Sequence, residues 1–185
     1  MKNDFFRYCP VCGSKKVRDV NDRKWVCDDC GFTLYNNVAS AVGLIISDKN
    51  NNILFEVRAK EPRKGFLALP GGFSNPDETA EAAALRECKE ETGLEPVFLN
   101  YLCSFPNTYE YKSVIYKTCD LFFTAKIESE ASDSLLSRLH RQESEVSGFV
   151  LKTISSINDI DELPIGFDSS KKALRLWFGN RQEKR

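Results

Sequence analysis

Apolar and polar positions along the chain predict a series of short strands from Val38 onward. ASAVGLIIS (39–47) is an apolar, β-branched run that ends in the turn-forming DKNNN, and ILFEVRAK (53–60) follows as its hairpin partner. FLALPGGF predicts a short strand that breaks at the Pro-Gly-Gly sequence 70–72. Farther along, PVFLNYLCSF (96–105), SVIYKTCDLFFTAKI (113–127) and SGFVLK also have strand character.

Three segments have helical rather than strand character. DETAEAAALRECKEETG has an alanine-rich interior, and Gly93 stands where a helix would stop. SDSLLSRLHRQE is weakly helical, and DSSKKALRLWFGN (168–180) predicts a C-terminal helix capped by Asp168 or Ser169. Strands interspersed with these helices predict a mixed α/β domain after residue 37.

Residues 1–37 have a different composition, with few aliphatic residues and four of the seven cysteines. Two CxxC pairs are separated by fourteen residues, and each pair is followed by glycine, as CPVCG and CDDCG. Four thiolates with this spacing can close a tetrahedral zinc site, which would stabilise a region too small to fold on its own core. The ligands are predicted to be Cys9, Cys12, Cys27 and Cys30.

The overall composition excludes several classes of protein. The net charge of −1 does not predict strong nonspecific nucleic-acid binding, although the cysteine-rich region is locally basic. No apolar run is long enough to span a membrane, and the N-terminus lacks the apolar segment of a secretory signal. The odd cysteine count and the CxxC pairs favour metal binding in a reducing compartment, so we expect a cytoplasmic protein.

The predicted central helix carries three glutamates on one narrow face: Glu87, Glu90 and Glu91. Like charges at this spacing repel by roughly 0.2–0.5 kcal/mol per pair, and a hard divalent cation would compensate for that cost. A solvated acidic face is the alternative interpretation. Arg86 can pair with Glu90, whereas Glu78 lies half a turn out of phase and is expected to brace the preceding loop. Ala84, Leu85 and Cys88 lie largely off the acidic face and can be buried.

This segment resembles the box that defines the Nudix family, GX5EX7REUXEEXGU. Gly72, five residues, Glu78, seven residues and then RECKEETGL match every charged and glycine position. Cys88 stands where the family usually has Ile, Leu or Val, a departure that affects packing rather than chemistry. The box covers 23 residues, and the flanking LPGGF agrees with it as well.

The resemblance implies an α/β/α sandwich around a mixed sheet, here a Nudix domain (38–185) preceded by a zinc ribbon (1–37). Nudix enzymes hydrolyse nucleoside diphosphates linked to another moiety, with water attacking a phosphorus atom. The resemblance therefore implies a pyrophosphohydrolase that uses Mg²⁺ or Mn²⁺, alongside structural Zn²⁺. By similarity, the catalytic metal ligands are Glu87, Glu90 and Glu91 with the Gly72 carbonyl. Family members often recruit a further acid from a later loop, where this chain has Glu143 and Glu145, and Glu145 is the favoured catalytic carboxylate.

The zinc ribbon resembles that of the NADH pyrophosphatase branch of the family, which carries an SQPWPFP array after the box. This chain has CSFPNTYEYKS (103–113) there, without the Gln-Pro-Trp core. The predicted substrate is therefore the wider class of dinucleotides such as NADH, or ADP-sugars. Arg58 could meet the phosphates, and Tyr109 and Tyr111 could stack on a base.

Two alternatives to this enzymatic interpretation remain open at the sequence level. One is a Nudix domain that senses a nucleotide without turnover, and the other is an enzyme that removes nucleotide caps from RNA. The presence of all box carboxylates argues against the first, and RNA is possible but not favoured as a partner. A homodimer is also possible, because dimers are common in the branch that the chain resembles.

Overall fold

The computed structural model describes residues 6–48, 50, 52–96, 98–112, 114–126, 132–140 and 142–182. The chain forms two compact units, and each is described separately below. The first contains residues 1–39 together with 108–117, and the second contains residues 40–107 and 118–185. The inclusion of the 108–117 segment in the first unit was not predicted from the sequence.

The first unit contains a three-stranded antiparallel sheet with the strand order β1-β2-β3. The turn between β1 and β2 places Asn21 and Asp22 at φ angles of 56° and 54°. Asparagine and aspartate tolerate this left-handed conformation better than most residues, which accounts for their position in the turn. The strands are β1 (Val17–Val20), β2 (Lys24–Cys27) and β3 (Thr33–Tyr35).

The second unit contains most of a mixed six-stranded sheet in the order β6-β5-β4-β8-β7, with β9 also pairing with β5. The first residue of β4, the end of β7 and the start of β8 belong to the first unit. Strand β5 is antiparallel to each of its partners β4, β6 and β9. The predicted strands are confirmed, and β7 extends farther than expected. The bounds are β4 (Ala39–Ser47), β5 (Asn52–Arg58), β6 (Leu67–Ala68), β7 (Phe98–Tyr111), β8 (Val114–Lys126) and β9 (Val146–Thr153).

Among its described residues, the second unit also contains four helices: α1 (Ala80–Thr92), α2 (Ser132–Arg138), α3 (Ile157–Glu162) and α4 (Asp168–Gln182). None of the helices among the described residues is long and apolar enough to cross a membrane. Gly93 ends α1 as predicted, at a φ of 75°, with its amide donating to the Lys89 carbonyl at 2.9 Å. Thr79 caps the other end by accepting the Ala82 amide at 3.1 Å.

The predicted cap of α4 is wrong, and α3 was not predicted at all. Helix α4 already includes Asp168 and Ser169, and the Ser169 hydroxyl donates to the buried Asp120 carboxylate at 2.7 Å. Asp120 lies on a strand that is distant in sequence, so a capping argument based on neighbouring residues could not identify it. Helix α3 is a short helix whose capping box joins Ser156 and Asp159.

The core lies in two apolar layers on opposite faces of the sheet, as strand periodicity requires. On one face, residues such as Leu44 and Leu54 pack with Ala84 and Cys88 of α1. On the other, residues such as Ile45, Ile53 and Phe55 pack with Ile160 of α3 and Leu174 and Trp177 of α4. This arrangement is the predicted α/β/α sandwich. The suggestion that Leu85 is buried is wrong, because its helical position leaves it 42% exposed.

Candidate active site and metal centres

The four predicted zinc ligands come together in the first unit. Their sulfur atoms all lie within 4.8 Å of one another, and the Cys9–Cys30 and Cys12–Cys27 sulfur pairs are each 3.6 Å apart. Four sulfurs bound at about 2.3 Å to one tetrahedral ion would be about 3.8 Å apart. The thiols therefore fit a closed four-cysteine zinc site.

Two matching turns hold these thiols. In one, the Gly13 amide donates to the Cys9 carbonyl at 2.9 Å, and in the other the Gly31 amide donates to the Cys27 carbonyl at the same distance. The two glycines have φ angles of 71° and 75°, so each turn uses the conformational freedom that glycine provides. Burial disfavours the Cys9 thiolate, but hydrogen bonds from nearby backbone amides lower the pKa of Cys9 to about 7.

In the second unit, Arg86 connects α1 to the loop before it. Its Nε and Nη2 donate to the two oxygens of Glu78 at 2.8 and 3.0 Å, and Nη2 also donates to the Phe73 carbonyl at 3.1 Å. Glu78 in turn accepts the Asn75 amide at 2.9 Å. The Arg86 and Asn75 hydrogen bonds lower the pKa of Glu78 to about 2. The predicted bracing role of Glu78 is confirmed.

The remaining nitrogen of Arg86 contacts two of the box glutamates. Nη1 donates to Glu87 Oε1 at 2.8 Å and to Glu90 Oε2 at 3.0 Å. The predicted Arg86–Glu90 pair is confirmed, and the contact with Glu87 was not predicted. Arg86 thus engages one oxygen of each carboxylate and offsets part of their mutual repulsion.

Glu91 is the buried member of the set and is anchored by the glycine turn. Glu91 is only 5% exposed, and its Oε2 accepts the Gly71 amide at 2.7 Å. A Cβ at Gly71 would lie 2.1 Å from the Val42 carbonyl oxygen, and one at Gly72 would lie 2.6 Å from Glu87 Oε1. Gly71 therefore lets the turn lie against the backbone of β4, and Gly72 lets it lie against the Glu87 carboxylate of α1.

The carbonyl of Gly72, a predicted metal ligand, accepts the Val42 amide at 2.8 Å. A carbonyl oxygen has two lone pairs, so this bond leaves capacity for a second interaction. Ligation by Gly72 therefore remains a prediction that its geometry allows.

Glu56 on β5 belongs to this site and was missed in the sequence. It is 4% exposed, and its side chain forms a hydrogen bond with that of Glu91. Among the described residues, its Oε1 is the only buried side-chain oxygen or nitrogen without a hydrogen-bond partner. The available signal was a single acidic residue within the apolar strand ILFEV, where a carboxylate is not expected unless it has a role.

Burial and mutual repulsion perturb the acidity of these carboxyl groups. Burial raises the pKa of Glu91 to about 8, with the Gly71 amide opposing the change and the charge of Glu87 adding to it. Burial, followed by the charge of Glu91, raises the pKa of Glu56 well above its usual value. Burial also raises the pKa of Glu87, although Arg86 acts in the opposite direction. The site thus concentrates negative charge that a bound cation would stabilise.

Glu145 lies just before β9, within electrostatic reach of the helix carboxylates. Its negative charge contributes to the raised pKa values of both Glu87 and Glu91. Its Oε1 accepts Lys60 Nζ at 2.6 Å, and its backbone carbonyl accepts the Ala59 amide at 2.8 Å. These contacts attach Glu145 to the segment that follows β5. Its catalytic role is untested and stays a prediction.

The predicted substrate contacts are placed as follows. Arg58 Nε donates to the Pro62 carbonyl at 2.8 Å, and its guanidinium carbon lies 5.1 Å from the centre of the Phe167 ring. Tyr109 and Tyr111 lie on the 108–117 segment of the first unit, where Tyr111 is exposed. None of these positions tests a role in substrate binding, so all three remain predictions.

The oxygen donors of α1 suit a hard cation such as Mg²⁺ or Mn²⁺, although they are not drawn together as tightly as the thiols. Within the described ranges, the four cysteines are the only group of three or more acidic, histidine or cysteine ligands whose atoms all lie within 4.8 Å. Ligation of a shared ion by Glu87, Glu90 and Glu91 remains a prediction. The crowded charge and the unpartnered oxygen of Glu56 fit such an ion.

Comparison with known proteins is consistent with this site. Residues 38–174 match the family model described as the NUDIX domain. The chain is 47% identical over 83 residues to an ADP-ribose pyrophosphatase of Methanocaldococcus jannaschii, a match that covers 45% of each chain. It is 30% identical over 171 residues to the NAD-capped RNA hydrolase NudC of Deinococcus radiodurans, covering 91% of this chain and 55% of that protein. The chain spans about half the length of these two relatives.

Solved structures share the fold. A NUDIX hydrolase from Nitrosomonas europaea is similar with a TM-score of 0.64 and 22% identity, covering 96% of this chain and 93% of that one. The NUDIX domain of Shewanella oneidensis NrtR, solved with ADP ribose, is similar with a TM-score of 0.58 and 22% identity, covering 76% and 88%. At these identities the similarity concerns the fold alone.

Proposed function

Since the chain belongs to the Nudix family, we propose that it hydrolyses the pyrophosphate bond of a nucleoside diphosphate linked to another group. The substrate is a dinucleotide such as NADH, or an ADP-sugar. The observation that carries this proposal is the buried Glu91, held by the Gly71 amide beside Glu56 and Glu87. The names of the two relatives support the same chemistry, because ADP-ribose and a NAD cap both contain a pyrophosphate joined to adenosine.

Glu87, Glu90 and Glu91 would hold Mg²⁺ or Mn²⁺, with the Gly72 carbonyl as a further donor. Such an ion polarises phosphoryl oxygens and lowers the pKa of bound water. Arg86 contributes by holding one oxygen of Glu87 and one of Glu90, which restricts both carboxylates to the face of α1 that bears Glu91. The Gly71 amide restricts Glu91 in the same way.

Glu145 is the proposed general base that accepts a proton from the attacking water. The Lys60 ammonium donates to its Oε1 at 2.6 Å and so helps to hold the Glu145 side chain in place. The attachment of its backbone to Ala59 gives it a fixed position at the end of β5. On the substrate side, Arg58 is a proposed phosphate contact, and Tyr109 and Tyr111 are proposed base contacts.

The zinc ion of the first unit has a structural role in this proposal. Four thiolates fill a tetrahedral site and leave no position for a reacting water. Because thiols must remain reduced to bind zinc, the site suits a cytoplasmic protein.

The direct test of the proposal is a panel of NADH, NAD, ADP-ribose, FAD, diadenosine polyphosphates and nucleoside triphosphates, each with Mg²⁺ and with Mn²⁺. We expect hydrolysis of at least one diphosphate-linked substrate to a nucleoside monophosphate and a phosphorylated partner. Reaction in ¹⁸O-labelled water followed by mass spectrometry would place the new oxygen on a phosphorus atom. Tight binding of a panel member without any turnover would favour the nucleotide-sensing alternative instead.

Removal of a nucleotide cap from RNA is a second candidate, favoured by the 91% coverage of this chain in its match to NudC. The first unit carries several basic residues that could contact an RNA backbone. Two of these, Lys16 and Arg18, form salt bridges with Asp29 and Asp28, which reduces their availability. A kcat/KM for NAD-capped RNA well above that for NADH, falling steeply with salt, would favour this candidate.

A further inference from the structure

Glu56 is placed by its strand to face the carboxylates of α1. Side chains two residues apart on a strand share a face, and Leu54 packs in the apolar layer that contains α1. Glu56 therefore faces the same helix, where its carboxyl group forms a hydrogen bond with Glu91. On either side of β5 its backbone neighbours are Ala68 and Phe149, which offer no side-chain polar partner.

The carboxyl group of Glu56 has an unused oxygen in the interior. One contact joins it to Glu91, while Oε1 has no hydrogen-bond partner in the part of the chain that the structure describes. The residue is 4% exposed, so bulk water cannot supply that partner. Buried polar atoms are almost always satisfied, and an exception calls for an explanation such as a bound ion.

We propose that Glu56 is an additional ligand of the divalent cation, with Oε1 coordinating an ion that it shares with Glu91. This inference rests on the proposed function, because it places Glu56 in the same metal centre. A cation at this position would give Oε1 a partner and would offset the charge of two carboxylates that lie side by side. Glu56 would then provide a ligand from the sheet, whereas Glu87, Glu90 and Glu91 all come from one helix.

If Glu56 served only as a hydrogen-bond donor to Glu91, removing its charge should leave the affinity for the cation unchanged. Two variants distinguish this role from that of a metal ligand. Glu56→Gln keeps the shape and can still donate to Glu91, but it loses the anionic oxygens. Glu56→Met keeps an unbranched side chain of similar length and removes all oxygen ligands. Glu95→Gln is the matched control, because Glu95 is exposed and pairs with Lys89 on the surface, at 2.6 Å.

The experiment titrates Mn²⁺ into each zinc-loaded variant and follows free Mn²⁺ by electron paramagnetic resonance. We expect Glu56→Gln to raise the Kd for Mn²⁺ by about tenfold or more, with Glu95→Gln unchanged. Bound Eu³⁺ provides a second measurement, since its luminescence lifetimes in H₂O and D₂O count coordinated waters. Glu56→Met should gain about one water relative to the wild type, because a lost oxygen ligand is replaced by solvent.

The outcomes distinguish this inference from the proposed function. If the wild type binds Mn²⁺ and Glu56→Gln binds it equally well, the ligand role of Glu56 is wrong and the proposed function stands. An unchanged water count in Glu56→Met would also overturn the ligand role. If the folded, zinc-loaded wild type binds neither Mn²⁺ nor Mg²⁺, the inference and the proposed metal-dependent hydrolysis both fall.

Discussion

Replacing Glu91 with glutamine should stabilise the fold when no divalent cation occupies the carboxylate site. Glu91 is buried beside Glu56 and Glu87, so its negative charge is costly in the absence of a cation. Glutamine keeps the length of the side chain and an oxygen that can accept the Gly71 amide, while it removes the charge. The same substitution should abolish most of the activity, so stability and function are expected to change in opposite directions.

The magnitude follows from the pKa of Glu91, which rises from 4.5 to about 8 on folding. The folded state therefore holds a proton that the unfolded state releases, and the free energy of unfolding falls as the pH rises from about 4.5 through about 8. At roughly 1.36 kcal/mol per pKa unit, the loss between pH 5 and pH 8 amounts to about 2–4 kcal/mol. Glu91→Gln should lack this loss, so its advantage over the wild type should be small at pH 5 and several-fold larger at pH 8.

Guanidinium unfolding followed by circular dichroism at 222 nm is the appropriate assay, because the helices α1 to α4 of the described residues lie in the second unit. The buffer should lack divalent cations, and the zinc content should be measured before and after each titration. Glu95→Gln is the control, since its pair with Lys89 is exposed and screened by solvent and should contribute little to stability. An advantage of Glu91→Gln that is the same at pH 5 and pH 8 would refute the reasoning.

Three further substitutions test separate parts of the structure. Cys27→Ser should reduce zinc content to well below one ion per chain by mass spectrometry, because three thiolates remain, and retention of a full equivalent would count against the four-cysteine site. Gly72→Ala should lower kcat by about tenfold or more, because its methyl group would displace the Glu87 carboxylate, while most of the helix content should remain. Unchanged kinetics would contradict that contact. Arg86→Lys should reduce the free energy of unfolding by about 1–3 kcal/mol, because one ammonium cannot reproduce the hydrogen bonds to Glu78, Glu87 and Glu90. A variant as stable as the wild type would show that these hydrogen bonds contribute little.

Features that depend on local sequence were predictable. The spacing of apolar positions identified the strands of the second unit, and Gly93 marked the end of α1. The expectation that Glu78 braces the loop was right, although Glu78 precedes α1 and the helical period therefore does not apply to it. The two CxxC pairs likewise indicated which four thiols would come together.

Features that depend on contacts between distant segments were not predictable in the same way. Glu56 joins the site only because β5 packs against α1, and a single sequence does not reveal which strand neighbours which helix. The hydroxyl of Ser169 donates to Asp120, 49 positions away in sequence, so the usual preference of serine for a helix cap did not apply. The hydrogen bond from Arg86 to Glu87 also depends on the rotamers of the two side chains, which the pattern of charges along the sequence does not determine.

Turnover by Glu90→Gln and Glu91→Gln is the most direct test of the central claim that the α1 carboxylates support metal-dependent hydrolysis. Both variants should be assayed with Mg²⁺ on the best panel substrate, at matched zinc content and with Glu95→Gln as the control. We predict that kcat falls by about 100-fold or more in both, equivalent to roughly 2.7 kcal/mol of transition-state stabilisation, while the control is unchanged. Folded variants that retain the wild-type rate would contradict the assignment of the site.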